Sequence, residues 1–571
     1  MGTDGLNKCA AGGGAVKIAV TGACVVNGVI TVDGERSSGN VAAGAAGSVL
    51  IEAASVSGTG SIFARAVWCG NNSYANGVGG RIALITVDPV DTTSLTVSAG
   101  AASDIAAASG TVYLKDASMT DGVLIVRNTG RTTSNPARDR RTDVSSDGVW
   151  KFDRVELGGD VQFAVPFGTT LTLPGWNCVS APYNSSGTPS GLYYLGGALD
   201  FGSSSEVTLS GKWYFAPISN YVFAANVALA EGASIGFGGK YPQRLANNTY
   251  PVAVDRIHCT VDGNMTVPAG CSVNVNQSGA IQDSNGVPAD YPQGANGGRR
   301  SNTGKTIGSV FHPQTLPHGQ SNSYGHQVPG GAVELVVTGT LSIGGSIEST
   351  GYTSADGIAS QIGGGSIDIT AGRLVGGGTI TAGAVRNGQP GGRIAIHLTG
   401  VGATLDDFDG AVNCATLGAG SVGSCGSIYI ETAADGEGRG TVVLDDNNVT
   451  CTTYTPICAT GYEADDVADF KKAGLVIKQQ AKGQVTAADA EGKFAMNSVE
   501  IDSTGQLDLF GHTLTVSAAK VNGVRLAPGT YGAESDVAIG EGTLADYLVD
   551  TAEGAGGALV VSGGGFSIIV R

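Results

Sequence analysis

A five-residue phrase recurs along the chain and limits the folds that the chain can adopt. The phrase is a glycine, a small or basic residue, a β-branched residue, any residue and then an aliphatic residue. Its copies form two series of four, at intervals of 27 to 34 residues. The copies begin at Gly14, Gly47, Gly80 and Gly110, and again at Gly331, Gly365, Gly392 and Gly426. Because the shift between the series stays between 312 and 318 residues, we interpret the second series as a duplicate of the first.

Apolar and polar residues alternate within each phrase, which is typical of a short strand with one buried face. Two more short strands are predicted in the first period, at residues 25–26 and 29–32. Three strands in about 33 residues predict an all-β fold, a parallel β-helix (solenoid) with irregular loop insertions. The recurring glycine is expected to supply either a positive φ or a close backbone approach at a turn. A flat array of hairpins is the alternative, but hairpins do not require one strand to recur at this interval.

The phrase divides the chain into five predicted regions. They are a first β-helix copy at 1–130, an aromatic-rich β continuation with a long polar loop at 131–328, a second copy at 329–450, an irregular region with one short helix at 451–496, and a C-terminal β module at 497–571. The short helix is predicted at residues 462–473, where Ala, Lys, Glu and Asp are frequent.

Composition excludes several classes of function. The 571 residues include 92 Gly, 42 % are hydrophobic and 14 % are charged, so the chain can bury a core. A formal net charge of −17 argues against nucleic acid as a partner. No apolar run of about 18 residues is present, so we predict no transmembrane segment.

Cysteine usage favours an exported protein. Ten cysteines are present, and three pairs lie close together in sequence: Cys259 and Cys271, Cys414 and Cys425, and Cys451 and Cys458. We predict local disulfides between them, with buried thiols as the alternative. The N-terminus has no signal-peptide pattern, so we expect any export signal to have been removed.

Four longer phrases carry a resemblance. They are Gly-Gly-Arg-Ile-Ala at 79–83 and 391–395, Gly-Ser-Ile-Tyr-Ile-Glu-Thr at 426–432, Leu-Asp-Leu-Phe-Gly-His-Thr-Leu-Thr-Val at 507–516, and Val-Asn-Gly-Val-Arg-Leu-Ala-Pro-Gly-Thr-Tyr at 521–531. The chain resembles Gly-rich bacterial extracellular and cell-surface proteins, similar to autotransporter and adhesin passengers. The resemblance implies a right-handed parallel β-helix in an extracellular or cell-surface location.

Residues that could perform catalysis are sparse. Parallel β-helices also include polysaccharide lyases and glycoside hydrolases, which use paired carboxylates or a basic residue. The densest acidic cluster, at residues 406–410, resembles part of a calcium loop but has Leu405 where the first ligand should be. We therefore predict no catalytic residue, no cofactor and no metal.

The leading hypothesis is a non-catalytic secreted or cell-surface structural or adhesive protein, with extracellular glycans or copies of itself as candidate partners. A polysaccharide-degrading enzyme centred on residues 145–255 is the alternative. Self-assembly into fibres would proceed through unpaired end strands.

Two groups of residues are candidate ligand contacts. Insertions on a solenoid fall along one edge, and that edge holds Trp68, Tyr74 and Tyr352, which could stack on sugar faces or simply cap the edge. The basic residues Arg138, Arg140 and Arg141 could contact an acidic glycan, with solvation or internal pairing as the alternative. Arg81 and Arg393, at matching positions of the two copies, are instead expected to bond turn carbonyls or the neighbouring repeat.

Overall fold

The computed structural model describes residues 10–36, 42–67, 77–90, 92–100, 108–128, 141–144, 148–158, 161–166, 169–174, 178–181, 192–195, 198–200, 204–215, 220–237, 256–276, 280–282, 295–296, 306–316, 318–322, 325–326, 329–351, 363–383, 389–416, 423–458, 467–486, 488–552 and 556–562. These residues confirm the all-β prediction, because strands dominate and the helices among them are short 3-10 turns. No helix in this part of the chain has the length and apolar character needed to cross a membrane.

The chain divides into two compact units, the first comprising Met1–Ala216 and Ala224–Gly238 and the second Pro217–Phe223 and Gly239–Arg571. Strands β1 to β23, of which β21 belongs to the second unit, are Ala15–Ala19, Ala23–Val25, Val29–Thr31, Ser48–Ala53, Ser55–Ser57, Ser61–Phe63, Arg81–Thr86, Thr96–Ser98, Thr111–Lys115, Val123–Arg127, Arg141–Asp143, Gly148–Lys151, Arg154–Gly158, Gln162–Val165, Thr169–Thr172, Cys178–Ala181, Leu192–Leu195, Ala198–Asp200, Glu206–Leu209, Lys212–Phe215, Asn220–Phe223, Asn226–Leu229 and Ser234–Phe237.

The second unit continues with strands β24 to β51 and three 3-10 turns. The strands are Ile257–Val261, Met265–Val267, Ser272–Asn274, Ala280–Gln282, Ala295–Asn296, Thr306–Ile307, His318–Asn322, Gly325–His326, Ala332–Ile343, Ser346–Glu348, Ser366–Val375, Thr379–Thr381, Arg393–Leu398, Ala411–Asn413, Ser427–Thr432, Thr441–Asp445, Thr455–Pro456, Gly474–Lys478, Lys482–Gln484, Lys493–Ile501, Gln506–Asp508, Thr513–Val521, Val524–Arg525, Gly529–Tyr531, Ala538–Ile539, Gly542–Thr543, Leu548–Val549 and Ala558–Val561. The turns are Leu405–Asp407, Asp469–Lys472 and Leu544–Asp546.

The four phrases of the first copy form one parallel sheet, in the order β1, β4, β7 and β9. Each residue pairs with its equivalent in the next repeat, as Val49 does with Val16 and Ile82. The remaining strands of each repeat pair in the same way, β2 with β5, and β3 with β6 and then β8.

The second copy repeats this arrangement in the other unit. Strands β32, β34, β36 and β38 pair in parallel and place Val333, Ile367, Ile394 and Ile428 side by side. Strands β26, β33, β35 and β37 form a further parallel sheet.

Close backbone approach explains the recurring glycine. A Cβ atom on Gly80 would lie 1.9 Å from the carbonyl oxygen of Gly47, and one on Gly426 would lie 1.7 Å from that of Gly392. Neither glycine has a positive φ. Of the two roles expected for the phrase glycine, close packing of neighbouring backbones is the one found here.

Each copy ends in an antiparallel hairpin. Strand β9 pairs antiparallel with β10, and β38 pairs antiparallel with β39. Later strands then run parallel to the second strand of the hairpin, β13 and β16 after β10, and β41, β43 and β45 after β39. The strand direction in the main sheet therefore reverses at the end of each copy, which the sequence did not predict.

The core changes to the other face of the sheet at each hairpin. In the first unit Val112 is buried on one face, whereas Leu124 lies opposite Tyr113 on the other face and is followed in register by buried Val155. In the second unit Tyr429 pairs with Val442, which pairs with Leu475, and all three are buried together. The sheet therefore has one core on each face.

Two local predictions are corrected. The described part of the predicted helix at 462–473, which begins at residue 467, contains the 3-10 turn Asp469–Lys472 and no α-helix, while residues 461–466 lie outside the described chain. The predicted disulfides are wrong, because all six of their cysteines are free thiols.

All six of these thiols are buried, and two of them illustrate the contacts that they make. Cys425 Sγ lies 3.2 Å from Thr455 Oγ1, and Cys451 Sγ contacts the carbonyl of Thr453 at 3.3 Å. Burial raises the pKa of Cys259 to about 12 and, with Asp446 nearby, that of Cys451 to about 12. Cys259 and Cys451 therefore stay protonated at neutral pH.

Candidate functional site

Most of the predicted ligand contacts lie outside the described residues. Trp68, Tyr74, Tyr352, Arg138 and Arg140 all belong to this group. Arg141 begins strand β11, but its side chain is not described. The described residues therefore do not test whether these six side chains lie together, and their roles remain predictions.

A groove lies instead on the outward face of the first copy's sheet, the face that turns away from the core of that copy. Its volume is about 650 Å³. The described residues that line it include Lys17, Ser48, Leu50, Arg81, Ala83, Thr111, Tyr113, Asp143, Trp150, Lys151 and Phe152. Strands β1, β4, β7 and β9 form its floor, and residues 143–144 and 150–152, which follow the hairpin, border it.

Three aromatic rings form one side of the groove. Trp150 stacks on Phe152 with 6.4 Å between ring centroids, and Tyr113 meets Phe152 edge-on at 6.1 Å. The Tyr113 hydroxyl donates to the carbonyl of Asp121 at 2.9 Å, and burial raises its pKa. The Trp150 Nε1 is buried with no hydrogen-bond acceptor among the described residues. The tyrosine is therefore held in place, while the indole keeps an unused donor.

Cations outnumber acids along the groove. Lys17 pairs with Glu52 at 3.0 Å, but Arg81 and Lys151 are exposed and form no ion pair within the described chain. Asp143 is the one carboxylate among the described lining residues. The groove therefore attracts anions, in contrast to the chain as a whole with its net charge of −17.

This lining suits binding better than catalysis. Flat aromatic rings and cationic donors are the groups that hold acidic sugars, the rings by stacking and the cations by charge-assisted hydrogen bonds. Glycoside hydrolysis needs two carboxylates about 5 to 10 Å apart, whereas the described lining supplies only Asp143.

The equivalent face of the second copy is covered by residues 306–316, which we call the covering segment. Ser366 Oγ donates to the carbonyl of Thr315 at 2.9 Å, and Arg393 Nε donates to that of Ile307 at 3.3 Å. Phe311 inserts between two rings, 4.8 Å from Tyr429 and 4.9 Å from Phe470. The covering segment thus fills the position that is open in the first copy.

The two matching arginines have different roles. Arg393 is completely buried, and its second donor reaches Ser427 Oγ of the next repeat at 3.0 Å. The bond to Ser427 is the expected contact with the neighbouring repeat, whereas the carbonyl of Ile307 belongs to strand β29 and not to a turn of the repeat. Arg81 is exposed on the open groove and is available to a ligand.

The acidic cluster at 406–410 also has a structural role. Arg373 makes two hydrogen bonds to Asp407, at 2.8 and 3.1 Å, and these bonds hold the pKa of that carboxyl below its ordinary value. Among the described residues, the group with ligand atoms close enough to share a metal ion is His312, Asp368 and His397, beneath the covering segment.

Sequence reasoning missed the residues of both outward faces. Trp150 lies in the region 131–328 that was predicted to be rich in aromatic residues, yet nothing in that region indicated Phe152 or Tyr113 as its neighbours. The available signal was the alternate position of each phrase, which holds Lys17 in β1 and Tyr113 in β9. These side chains point away from the first core, and the sequence did not show what lies over them.

Comparison of the chain with protein-family models, with curated proteins and with solved structures finds no match.

Proposed function

We propose that the chain is a non-catalytic, secreted or cell-surface scaffold of right-handed parallel β-helix type, and that it binds acidic glycans in the groove of its first copy. The open, cation-lined groove is the observation that carries the binding proposal. The resemblance to Gly-rich bacterial surface proteins supports the location.

Parallel, in-register pairing of equivalent phrases supports the β-helix proposal. The handedness of a coil depends on the strand direction and on the face of the sheet that covers the core. If the strand direction reverses and the core stays on the same face, the handedness changes. If the core also moves to the opposite face, the handedness is kept. The buried residues do change face at both hairpins: in the first copy from Val112 to Leu124, which lies opposite Tyr113, and in the second copy from Ile428 to Tyr429 and Val442. One hand is thereby kept, and crossovers between parallel strands are right-handed in nearly all proteins.

The contrast between the copies supports the binding proposal. Arg393 donates hydrogen bonds to Ile307 and Ser427. Arg81 and Lys151 are exposed instead and line an open groove with aromatic rings on one side. A uronate or sulfate group would accept hydrogen bonds from these two cations while a sugar ring stacked on Trp150.

Titration calorimetry with uronate-containing and neutral oligosaccharides tests this proposal. We expect binding of acidic oligomers, weakening as salt rises because the attraction is electrostatic. The double variant Arg81→Ala/Lys151→Ala should bind at least tenfold more weakly. Lys212→Ala, an exposed lysine of β20 outside the groove, is the matched control and should bind as the native chain does.

Product analysis in the same mixtures separates binding from catalysis. A new reducing end or the absorbance of an unsaturated uronate would show that the chain is an enzyme. Equal affinity of the native chain and the double variant would show that the groove is not the glycan site.

A further inference from the structure

The cluster beneath the covering segment has the geometry of a metal site. His312 Nδ1 lies 3.5 Å from Asp368 Oδ2, and His397 Nε2 lies 3.7 Å from Asp368 Oδ1. The two imidazole rings are parallel, with 4.7 Å between centroids. Ligands bound to one zinc ion at about 2.0 to 2.2 Å lie about 3.4 Å apart in a tetrahedron. The ligand atoms of the three side chains all lie within 4.8 Å of one another, so a movement of about 1 Å would bring them to the spacing that one ion requires.

A buried, unsatisfied oxygen points independently to a cation. Asp368 is 2 % exposed, and its Oδ2 accepts a hydrogen bond from Gln314 Nε2 at 2.9 Å. Its Oδ1, which faces His397, has no hydrogen-bond partner. A buried carboxylate oxygen without a partner is unfavourable, and a metal ion between Oδ1 and the two imidazoles would remove this penalty.

We propose that His312, Asp368 and His397 bind one divalent transition-metal ion, with Zn²⁺ the best fit. Two imidazoles and one carboxylate favour zinc and related ions over Ca²⁺ and Mg²⁺, which prefer all-oxygen ligand sets. The carbonyl oxygen of Phe311, 2.9 Å from His397 Nε2, is placed to be a fourth ligand once the ion replaces the proton on that nitrogen.

The surroundings allow entry of the ion and orient the ligands. The His312 side chain is 64 % exposed, so the site opens to solvent on one side. On the far side of the His397 ring, Nδ1 lies 3.8 Å from Glu431 Oε1. A carboxylate beside the second nitrogen of a ligating histidine is a frequent feature of metal sites, because it orients the ring and raises its basicity.

The bound ion would tie the covering segment to the sheet. His312 and Phe311 belong to the covering segment, whereas Asp368 lies in β34 and His397 in β36. The first copy has Leu50 and Ile85 at the two sheet positions, so the proposed site is specific to the second copy.

Calorimetry with ZnCl₂ and the untagged, EDTA-treated full chain tests this proposal. We expect one ion per chain and a higher melting temperature with Zn²⁺. His312→Gln, at an exposed position, should weaken binding at least tenfold, as should the isosteric Asp368→Asn. His258→Gln, which removes a histidine outside the cluster, should bind as the native chain does.

Co²⁺ distinguishes this site from binding by the cysteines. We expect weak visible absorption without a near-ultraviolet thiolate-to-cobalt band, because the ligands are nitrogen and oxygen. The proposal is overturned by absence of stoichiometric binding, by a thiolate band, or by unchanged affinity in both His312→Gln and Asp368→Asn. None of these outcomes depends on whether the groove in the other unit binds glycans.

Discussion

The outward faces of the two copies begin from the same repeated phrase but differ in their surroundings. Several pairs of equivalent residues are identical, among them Ser48 and Ser366, Arg81 and Arg393, and Tyr113 and Tyr429. In the first copy these residues line an open groove, and in the second they hold the covering segment. The repeat builds a face that can be either surface or core, and a segment from outside the repeat decides which.

Two of the equivalent positions that differ between the copies are apolar on the open outward face and polar on the covered one. Leu50 and Ile85 of the first copy correspond to Asp368 and His397 of the second. The polar pair lies under the covering segment, where Gln314 and the Phe311 carbonyl bond to it. The buried side chains of Asp368 and His397 thus each have a hydrogen-bond partner in the covering segment, as buried polar groups usually do.

The largest predicted effect should be the same in both copies. Gly80→Val and Gly392→Val should each destabilise the fold by about 5 kcal/mol or more, because a Cβ would lie 1.9 or 2.2 Å from a backbone carbonyl oxygen. Thermal unfolding followed by circular dichroism measures this effect. Gly377→Val is the control, since a Cβ there meets nothing within 4 Å. An unchanged melting temperature for either phrase variant would contradict the stacking of repeats.

Removing the aromatic anchor should make the second copy resemble the first. Phe311→Ala should destabilise the second unit by about 3 to 5 kcal/mol, because Phe311 is buried against Tyr429 and Phe470. Hydrogen exchange read by mass spectrometry should show faster exchange over residues 306–316. Protection equal to that of the native chain would show that the covering segment is held without this ring.

The matching arginines should respond differently to truncation. Arg393→Ala should destabilise by about 2 to 3 kcal/mol, because it leaves the Ile307 carbonyl and Ser427 hydroxyl buried without their donor. Arg81→Ala should stay within about 0.5 kcal/mol of the native chain, since its side chain is exposed. Urea denaturation of both variants gives the comparison, and similar losses for the two would refute it.

The smallest effect depends on pH. Asp446 comes directly after the second strand of the hairpin in the second copy. Asn128 holds the equivalent position in the first copy, and both residues are buried. Burial raises the pKa of Asp446, although Thr416 donates two hydrogen bonds to it. The pKa of Asp446 is therefore higher in the folded state than in the unfolded state, where it is about 3.9. The stability that the protonated carboxyl contributes is complete below this unfolded value and is lost as pH rises through the folded pKa.

Asp446→Asn removes that loss. The melting temperature of the variant, relative to the native chain, should therefore increase from pH 3.5 to pH 8. A difference that stays constant over this range would show that Asp446 titrates equally in the folded and unfolded states.

The sequence was sufficient for the repeated strands, because each phrase carries its own glycine boundary and its own alternation. Strands β4, β7 and β9 each begin directly after the phrase glycine, as predicted. The hairpin reversals were missed because alternation marks a strand but not its direction. The disulfides were mispredicted because nearness in sequence says nothing about where a sulfur atom points.

The covering segment could not have been predicted from its own residues. Phe311 lies in a stretch rich in Gly, Asn, Ser and Pro, which favours a loop. The ring of Phe311 packs against Tyr429, which is 118 residues away in the sequence. The carbonyl of Ile307 bonds to Arg393, which is 86 residues away. Only the three-dimensional fold brings such distant partners together, and the groove of the first copy depends on equally indirect information.

The change of core face at the hairpins has a consequence for how each unit melts. Ile428 and Tyr429 are adjacent in sequence and both buried, but their side chains lie on opposite sides of the same sheet. Loss of the packing on either face would destabilise the strands of this sheet, and the packing on the other face depends on the same strands. Each unit should therefore lose its structure in one cooperative step around this sheet, instead of fraying repeat by repeat from an end as simple linear arrays do.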